Sequence, residues 1–219
     1  ADATGVGETI TGGTGTDTLV VSGGTTAVDF SNDTLSALNT LELTVDSAGS
    51  SDSNAQSLTM TDAQIDGFTI INSAAGDNIT LGDVMTSDML DNTVINTDLK
   101  LILKDVASNA LTLVDATMDD TNDKLTVDGS NLTGTNALTF TGTNEASAEV
   151  SVTGGAAADS IIGGGGNDTI VGGAGANVLT GNAGVDSITG GADADTITGG
   201  AGADKLVGGN GANKFVYLS

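Results

Sequence analysis

The sequence predicts an all-β chain, with a coil of stacked parallel strands at the C-terminal end that continues an irregular β-solenoid or β-sandwich region. Three observations predict this. From Gly154 to Val216 the chain divides into seven nine-residue units without a gap. From about residue 18 to 152, short apolar–polar alternations recur every 10–16 residues, with Asn, Asp, Ser and Gly between them. No stretch reads as a long helix.

The repeat fixes the clearest element. Its units are GGAAADSII, GGGGNDTIV, GGAGANVLT, GNAGVDSIT, GGADADTIT, GGAGADKLV and GGNGANKFV, and they hold 19 of the 33 glycines. Place one is always Gly. Place six is Asp159, Asp168, Asn177, Asp186, Asp195, Asp204 or Asn213, and place eight is a large apolar residue. A Gly-rich loop of about six residues turns the chain through backbone angles that other residues avoid. A strand of about three residues then points one large side chain inward. Two units make a coil of 18 residues, so unit n lies beside unit n+2 and the loops stack on two edges. One edge carries Asp159, Asn177, Asp195 and Asn213, and the other Asp168, Asp186 and Asp204.

The earlier elements are read from alternation. Strands are expected at 40–45, 57–60, 68–71, 78–81, 99–103, 111–114, 124–127, 137–140 and 148–152, with Thr dominating the polar places. The stretches 35–41 and 61–67 read as brief helical turns. A weaker copy of the repeat opens the chain through Gly12, Gly13, Gly15, Asp17 and Leu19, with Glu8 and Ile10 nine residues earlier. It is a calcium site needing partners from elsewhere, or a turn entering the first strand. Asp77 and Ile79 echo the pattern faintly. The organisation expected is 1–20 as a partial repeat and entry strand, 21–152 as a Thr/Ala-rich β region, and 153–219 as the repeat. No linker separates them, so one stack feeding another is more natural than two independent domains.

Composition narrows function. The 219 residues include 29 acidic and five basic ones, all five Lys, for a net charge of −24, and there is no His, Cys, Pro or Trp. Without Cys or His there is no disulfide, thiolate site or Ser-His triad. Five Lys cannot form the positive surface that nucleic acid needs, and no apolar run is long enough to span a membrane. No acidic pair is marked for glycoside hydrolysis, and aromatic residues are only 2 %. No enzymatic activity is expected. The N-terminus lacks a basic region and apolar stretch, so no signal peptide is read, and the missing Met suggests a fragment or processed chain. So many carboxylates repel unless neutralised, and oxygen-only ligands select a hard cation, calcium before magnesium. Asp119, Asp120 and Asp123 form a solvated acidic loop, or a further calcium site. For the repeat, the competing reading is a metal-free Gly-rich solenoid.

The seven units resemble the GGxGxDxUx nonapeptide of the RTX family. The resemblance implies a right-handed parallel β-roll with Ca2+ between neighbouring loops on each edge, and about five sites. Each site would take places two, four and six of one unit and places one, three and six of the unit two later, with place six contributing its side chain and the others backbone carbonyls. The first would join Gly155, Ala157 and Asp159 to Gly172, Ala174 and Asn177. The second would join Gly164, Gly166 and Asp168 to Gly181, Ala183 and Asp186. The third would pair Gly173, Gly175 and Asn177 with Gly190, Ala192 and Asp195. The fourth would pair Asn182, Gly184 and Asp186 with Gly199, Ala201 and Asp204. The last would pair Gly191, Asp193 and Asp195 with Gly208, Asn210 and Asn213. Departures fall on the Asn-containing edge, so tighter binding is expected on the Asp168–Asp186–Asp204 edge. Asp193 should tolerate a left-handed backbone better than Ala157.

The middle region is similar to the Thr- and Ala-rich β segments of bacterial surface-layer proteins and large secreted adhesins. That likeness implies type I secretion and an extracellular or cell-surface location. The function expected is a calcium-binding structural component of a surface layer or similar assembly, self-associating with calcium. The alternative is a secretion and folding module of an exported enzyme or adhesin. Cell-surface polysaccharide is a candidate partner through further parts of a longer chain.

Overall fold

The computed structural model describes residues 7, 9–22, 28–44, 57–65, 70–72, 78–81, 94–95, 98–105, 109–113, 124–143 and 149–217. Strands are numbered β1 to β21 in chain order. A nine-stranded parallel sheet runs through most of the molecule, with sequence-alternate strands adjacent. It contains β3 (Val28–Asp29), β6 (Ser57–Met60), β8 (Asn78–Leu81), β10 (Leu99–Ile102) and β12 (Lys124–Asp128), followed by β14 (Glu149–Thr153), β16 (Thr169–Gly173), β18 (Ser187–Gly191) and β20 (Lys205–Gly209). The intervening strands form two further parallel sheets. One holds β2 (Thr18–Ser22), β5 (Thr40–Thr44), β7 (Ile70–Asn72) and β9 (Val94–Ile95). The other holds β11 (Asn109–Thr112), β13 (Leu138–Thr141), β15 (Ser160–Ile162), β17 (Val178–Ala183), β19 (Thr196–Ala201) and β21 (Lys214–Val216). A short extra side is made by β1 (Thr9–Thr11) against β4 (Thr34–Ser36).

The fold is therefore a solenoid along its whole described length, which decides against a sandwich for the middle region. Because β14 pairs with both β12 and β16, hydrogen bonding passes into the repeat without a break. The coil changes size at that junction. Upstream, successive coils take 21 to 30 residues, from Ser57 beside Asn78 to Thr40 beside Ile70. Beyond it, every coil takes 18.

Register aligns like with like. One interior row runs Val28, Leu58, Ile79, Leu101, Val127, Val152, Ile170, Ile188 and Leu206. Its counterpart on the facing sheet runs Leu111, Phe140, Ile161, Leu179, Ile197 and Phe215. Strands before the junction bury two apolar residues each, such as Leu99 with Leu101, Leu125 with Val127, and Val150 with Val152; strands after it bury one. Apolar burial thins further at the end, where Leu206 is half-buried and Phe215 is exposed.

The expected strands at 40–45, 57–60, 78–81, 99–103, 124–127, 137–140 and 148–152 appear within a residue or two, and those at 68–71 and 111–114 shift slightly. The turn at 61–67 is the four-residue helix Asp62–Ile65. Thr61 and Gln64 cap it reciprocally: Thr61 N–H donates to Gln64 Oε1 at 2.8 Å, and Gln64 N–H to Thr61 Oγ1 at 3.3 Å. The helical turn expected at 35–41 is a correction. Thr34–Ser36 is strand instead, because its Leu35 pairs with Ile10 of the first coil, and left-handed Ala37 (φ 54°) then bends the chain into β5. Repeat strands also outrun three residues, since pairing continues into the loops of β17 and β19.

Row position sets stability. Phe140→Ala, at a fully buried place before the junction, should lower the unfolding free energy by about 3–5 kcal/mol. Phe215→Ala at the exposed end should cost far less. Denaturant titration in calcium compares them, and equal losses would contradict the gradient.

Candidate metal centre

Place six sits on the interior rows. The register that aligns Leu99, Leu125 and Val150 continues into Asp168, Asp186 and Asp204. On the facing sheet, Asn109 and Leu138 lead to Asp159, Asn177, Asp195 and Asn213. At the junction, positions that held aliphatic side chains take carboxylates and carboxamides. Five of the seven, Asp159 to Asp195, are 1–2 % exposed.

One oxygen of each is committed to the neighbouring coil. The N–H of Asp159 donates to Asn177 Oδ1 at 2.8 Å, Asp168 to Asp186 at 2.9 Å, and Asn177 to Asp195 at 2.9 Å. Asp186 likewise donates to Asp204 at 3.0 Å, and Asp195 to Asn213 at 2.9 Å. Coil-to-coil spacing thus has a side-chain ladder beside the backbone one.

The second oxygen divides the residues. Asp159 Oδ2 accepts from Gly155 N–H at 2.7 Å, and Asp168 Oδ2 from Gly164 N–H at 2.8 Å. Both junction carboxylates are satisfied, since their Oδ1 atoms accept from Leu138 and Val150. Asp186 Oδ2 and Asp195 Oδ2 are buried without a partner. A buried anionic oxygen with no donor is costly, and a cation would relieve it. At the Asn places the side chain supplies its own donor. Asn177 Nδ2 reaches the carbonyls of Ala174 and Gly175 at 3.3 and 3.1 Å, and Asn213 Nδ2 those of Gly209 and Asn210 at 3.4 and 3.1 Å.

The loops divide at the same point. Places two and four have positive φ in each unit from the third onward, including Asn182 (84°) and Asp193 (68°), two of the three non-glycine residues with positive φ among the described residues. Gly155, Ala157, Gly164 and Gly166 do not have it. The contrast expected between Asp193 and Ala157 is present: Asp193 is left-handed and accepts from Gly175 N–H at 3.2 Å, whereas Ala157 is not left-handed. Place one is Gly because a Cβ on Gly154, Gly163 or Gly181 would collide with the place-six carboxylate of its own unit.

These carboxyls titrate unusually. Burial pushes Asp159, Asp168 and Asp186 above the ordinary 3.8, Asp168 to about 6; the Asp186 and Glu149 charges add to the shift at Asp168, and the Asp204 charge at Asp186. A raised folded-state value means that the fold binds the proton more tightly than the unfolded chain. Metal-free stability contributed by this group therefore rises as pH falls from above 6 towards 4. Hydrogen bonds hold the exposed Asp29 and Asp105 below 3.8, so they act in the opposite sense only beneath that range. In chelator, the melting temperature should be higher at pH 5 than at pH 7, and a scanning-calorimetry series that falls instead would refute this.

The structure brings together residues of all five expected sites along the two edges, with divergent local geometry. Among the described residues no group of three or more acidic side chains gathers, in keeping with a donor set built from carbonyls and one side chain per loop. Asp17 gains the partner its sequence lacked. Its N–H donates to Asn39 Oδ1 at 2.9 Å, Thr40 N–H donates to its carbonyl at 3.1 Å, and its own Oδ2 is buried without a partner. The sequence reading missed Asn39. The echo of Asp17-Thr18-Leu19 in Asn39-Thr40-Leu41 was its signal, hidden by a spacing of 22 rather than 18. Asp77, Glu8 and the cluster Asp119, Asp120 and Asp123 lie outside the described residues. Lys100 bonds Asp128 at 2.8 Å on the sheet surface.

Fold and loops define a parallel β-solenoid that ends in stacked glycine-rich, carboxylate-closed nonapeptides. Residues 3–25, 151–179 and 180–215 match the RTX calcium-binding nonapeptide repeat (4 copies), so these segments carry RTX repeats. These repeats indicate calcium binding. No curated protein and no solved structure shows significant similarity to the chain.

The positive-φ places are testable. Gly184 (φ 123°) faces the Gly166 carbonyl so closely that a Cβ would collide with it. Gly184→Ala should therefore weaken calcium uptake severalfold. Calorimetric titration showing wild-type affinity would contradict the assignment.

Proposed function

We propose that the chain is a calcium-dependent structural protein of the bacterial cell surface, a component of a surface layer or similar extracellular assembly exported by type I secretion. RTX calcium-binding repeats are typical of secreted bacterial proteins. The observation that carries the structural reading is the unbroken sheet from β3 to β20. The repeat is not an appendage to a separate globular body in the described residues; it continues the same hydrogen-bonded stack. A solenoid of this kind is a stiff element, and calcium held between its repeat coils would order that part of it.

Calcium would be held by the edge carbonyls and place-six side chains named above. The Asp168–Asp186–Asp204 edge has three anions in register, so it has the greater electrostatic need of a divalent ion. The Asn-containing edge meets part of that need through its amides. Such repeats, built on weak oxygen sites, suit the millimolar calcium outside cells, where extracellular modules of low affinity fill.

Two measurements test this. Asp186→Ala should weaken calcium binding about tenfold or more by calorimetry, and more than Asn177→Ala does; the reverse order would count against the edge assignment. Light scattering and electron microscopy of the purified chain should show assemblies that form in millimolar calcium and disperse in chelator. A monodisperse monomer under both conditions would overturn the assembly role.

A further inference from the structure

We infer that the repeat is divided after its second unit. Residues 154–171 close without metal as the last part of the upstream solenoid, and they template residues 172–216, which close only when calcium is bound. This rests on the calcium reading above and goes beyond it, because all seven units match one repeat in sequence.

Three features change at the same boundary. The first is the fate of the carboxylates. Asp159 and Asp168 each receive two amide N–H groups, one from the preceding coil and one from their own loop. Four donors for four oxygens leave no requirement for a cation. Asp186 and Asp195, equally buried, each leave one oxygen with none.

The second is backbone conformation. Positive φ at places two and four begins with Gly173 and Gly175 and persists through Gly209 and Gly211. It turns the loop so that the place-two N–H no longer reaches its own carboxylate: neither Asp186 Oδ2 nor Asp195 Oδ2 accepts from its place-two residue. In units one and two the opposite conformation spends that N–H on the carboxylate. Ala157, which would have to become left-handed to join the later pattern, pays a steric penalty that Gly avoids.

The third is apolar support. Coils in contact with units one and two carry paired interior side chains, Leu138 with Phe140 and Val150 with Val152. Units three to seven lean only on single ones, Ile161, Ile170, Leu179, Ile188 and Ile197. Hydrophobic burial and satisfied carboxylates together hold the early units, and the later units have less of both. A stack of this type propagates from a formed neighbour, so the closed face of unit two is the surface on which the calcium-bound coils build.

Hydrogen–deuterium exchange by mass spectrometry on the full chain, in chelator and in millimolar calcium, tests the division. Peptides within 124–171 should stay protected in both conditions. Peptides within 172–216 should exchange freely in chelator and gain at least tenfold protection with calcium. In calcium, Asp186→Ala should lower protection in 172–216 while leaving 124–171 protected. Loss of protection at 154–171 in chelator would overturn the division and leave calcium binding intact. Protection of 172–216 in chelator would also overturn it. Calorimetry on the same sample separates the two failures, since absence of any calcium uptake would sink the calcium reading itself.

Discussion

The hydrogen bond from a place-six N–H to the place-six side-chain oxygen one coil later is the constraint on which the repeat depends. It fixes the distance between coils at an edge where no aliphatic side chain packs, and it requires a short acceptor at the same place of each unit. Asp and Asn both meet that requirement through Oδ1. Place one must then be Gly to make room for the carboxylate, and places two and four must turn to close so short a loop. Most of the nonapeptide follows from keeping that one oxygen in position.

Its second oxygen is where the repeat leaves buried charge unmatched. Upstream, the same interior rows are filled by Leu99, Leu125, Val150 and Leu138, and the coils close on apolar contact. Replacing them with aspartate exchanges hydrophobic burial for buried charge, which is unfavourable unless each oxygen finds a donor. At the junction, amides supply the donors. Beyond it the loop geometry withdraws them, and the charge left behind specifies a cation.

The sequence showed the repeat clearly because its period is invariant: Gly, carboxylate or carboxamide and aliphatic recur in phase, and each has one physical job. The upstream strands were legible from alternation, but their stacking was not, since coils of 21 to 30 residues have no fixed period to reveal which strands pair. The same irregularity left sandwich and solenoid undecided. It also concealed Asn39, whose relation to Asp17 appears only when Thr18 and Thr40 are seen in register. At 35–41, spaced leucines suggested a helical turn, but pairing of Leu35 with Ile10 overrode local preference. The division within the repeat was invisible for a different reason. Units one and two match the motif as well as the others do, and what sets them apart is the turn of their own loops, which brings the Gly155 and Gly164 N–H groups onto the place-six carboxylates.

The two edges solve the charge problem differently. On one, Asn alternates with Asp, so Asp195 lies between two amides and Asp159 beside one, and the amide nitrogen occupies loop carbonyls that would otherwise turn to an ion. On the other, Asp168, Asp186 and Asp204 stand in sequence, and the Asp186 charge raises the proton affinity of Asp168 as the Asp204 charge raises that of Asp186. An all-Asn roll would close without metal and could not sense it. An all-Asp roll would repel along both edges at once. Alternation on one edge still leaves one buried oxygen there without a donor, Asp195 Oδ2, to set beside Asp186 Oδ2 on the other, so the stack is short of positive charge on both edges and most so where the carboxylates are consecutive.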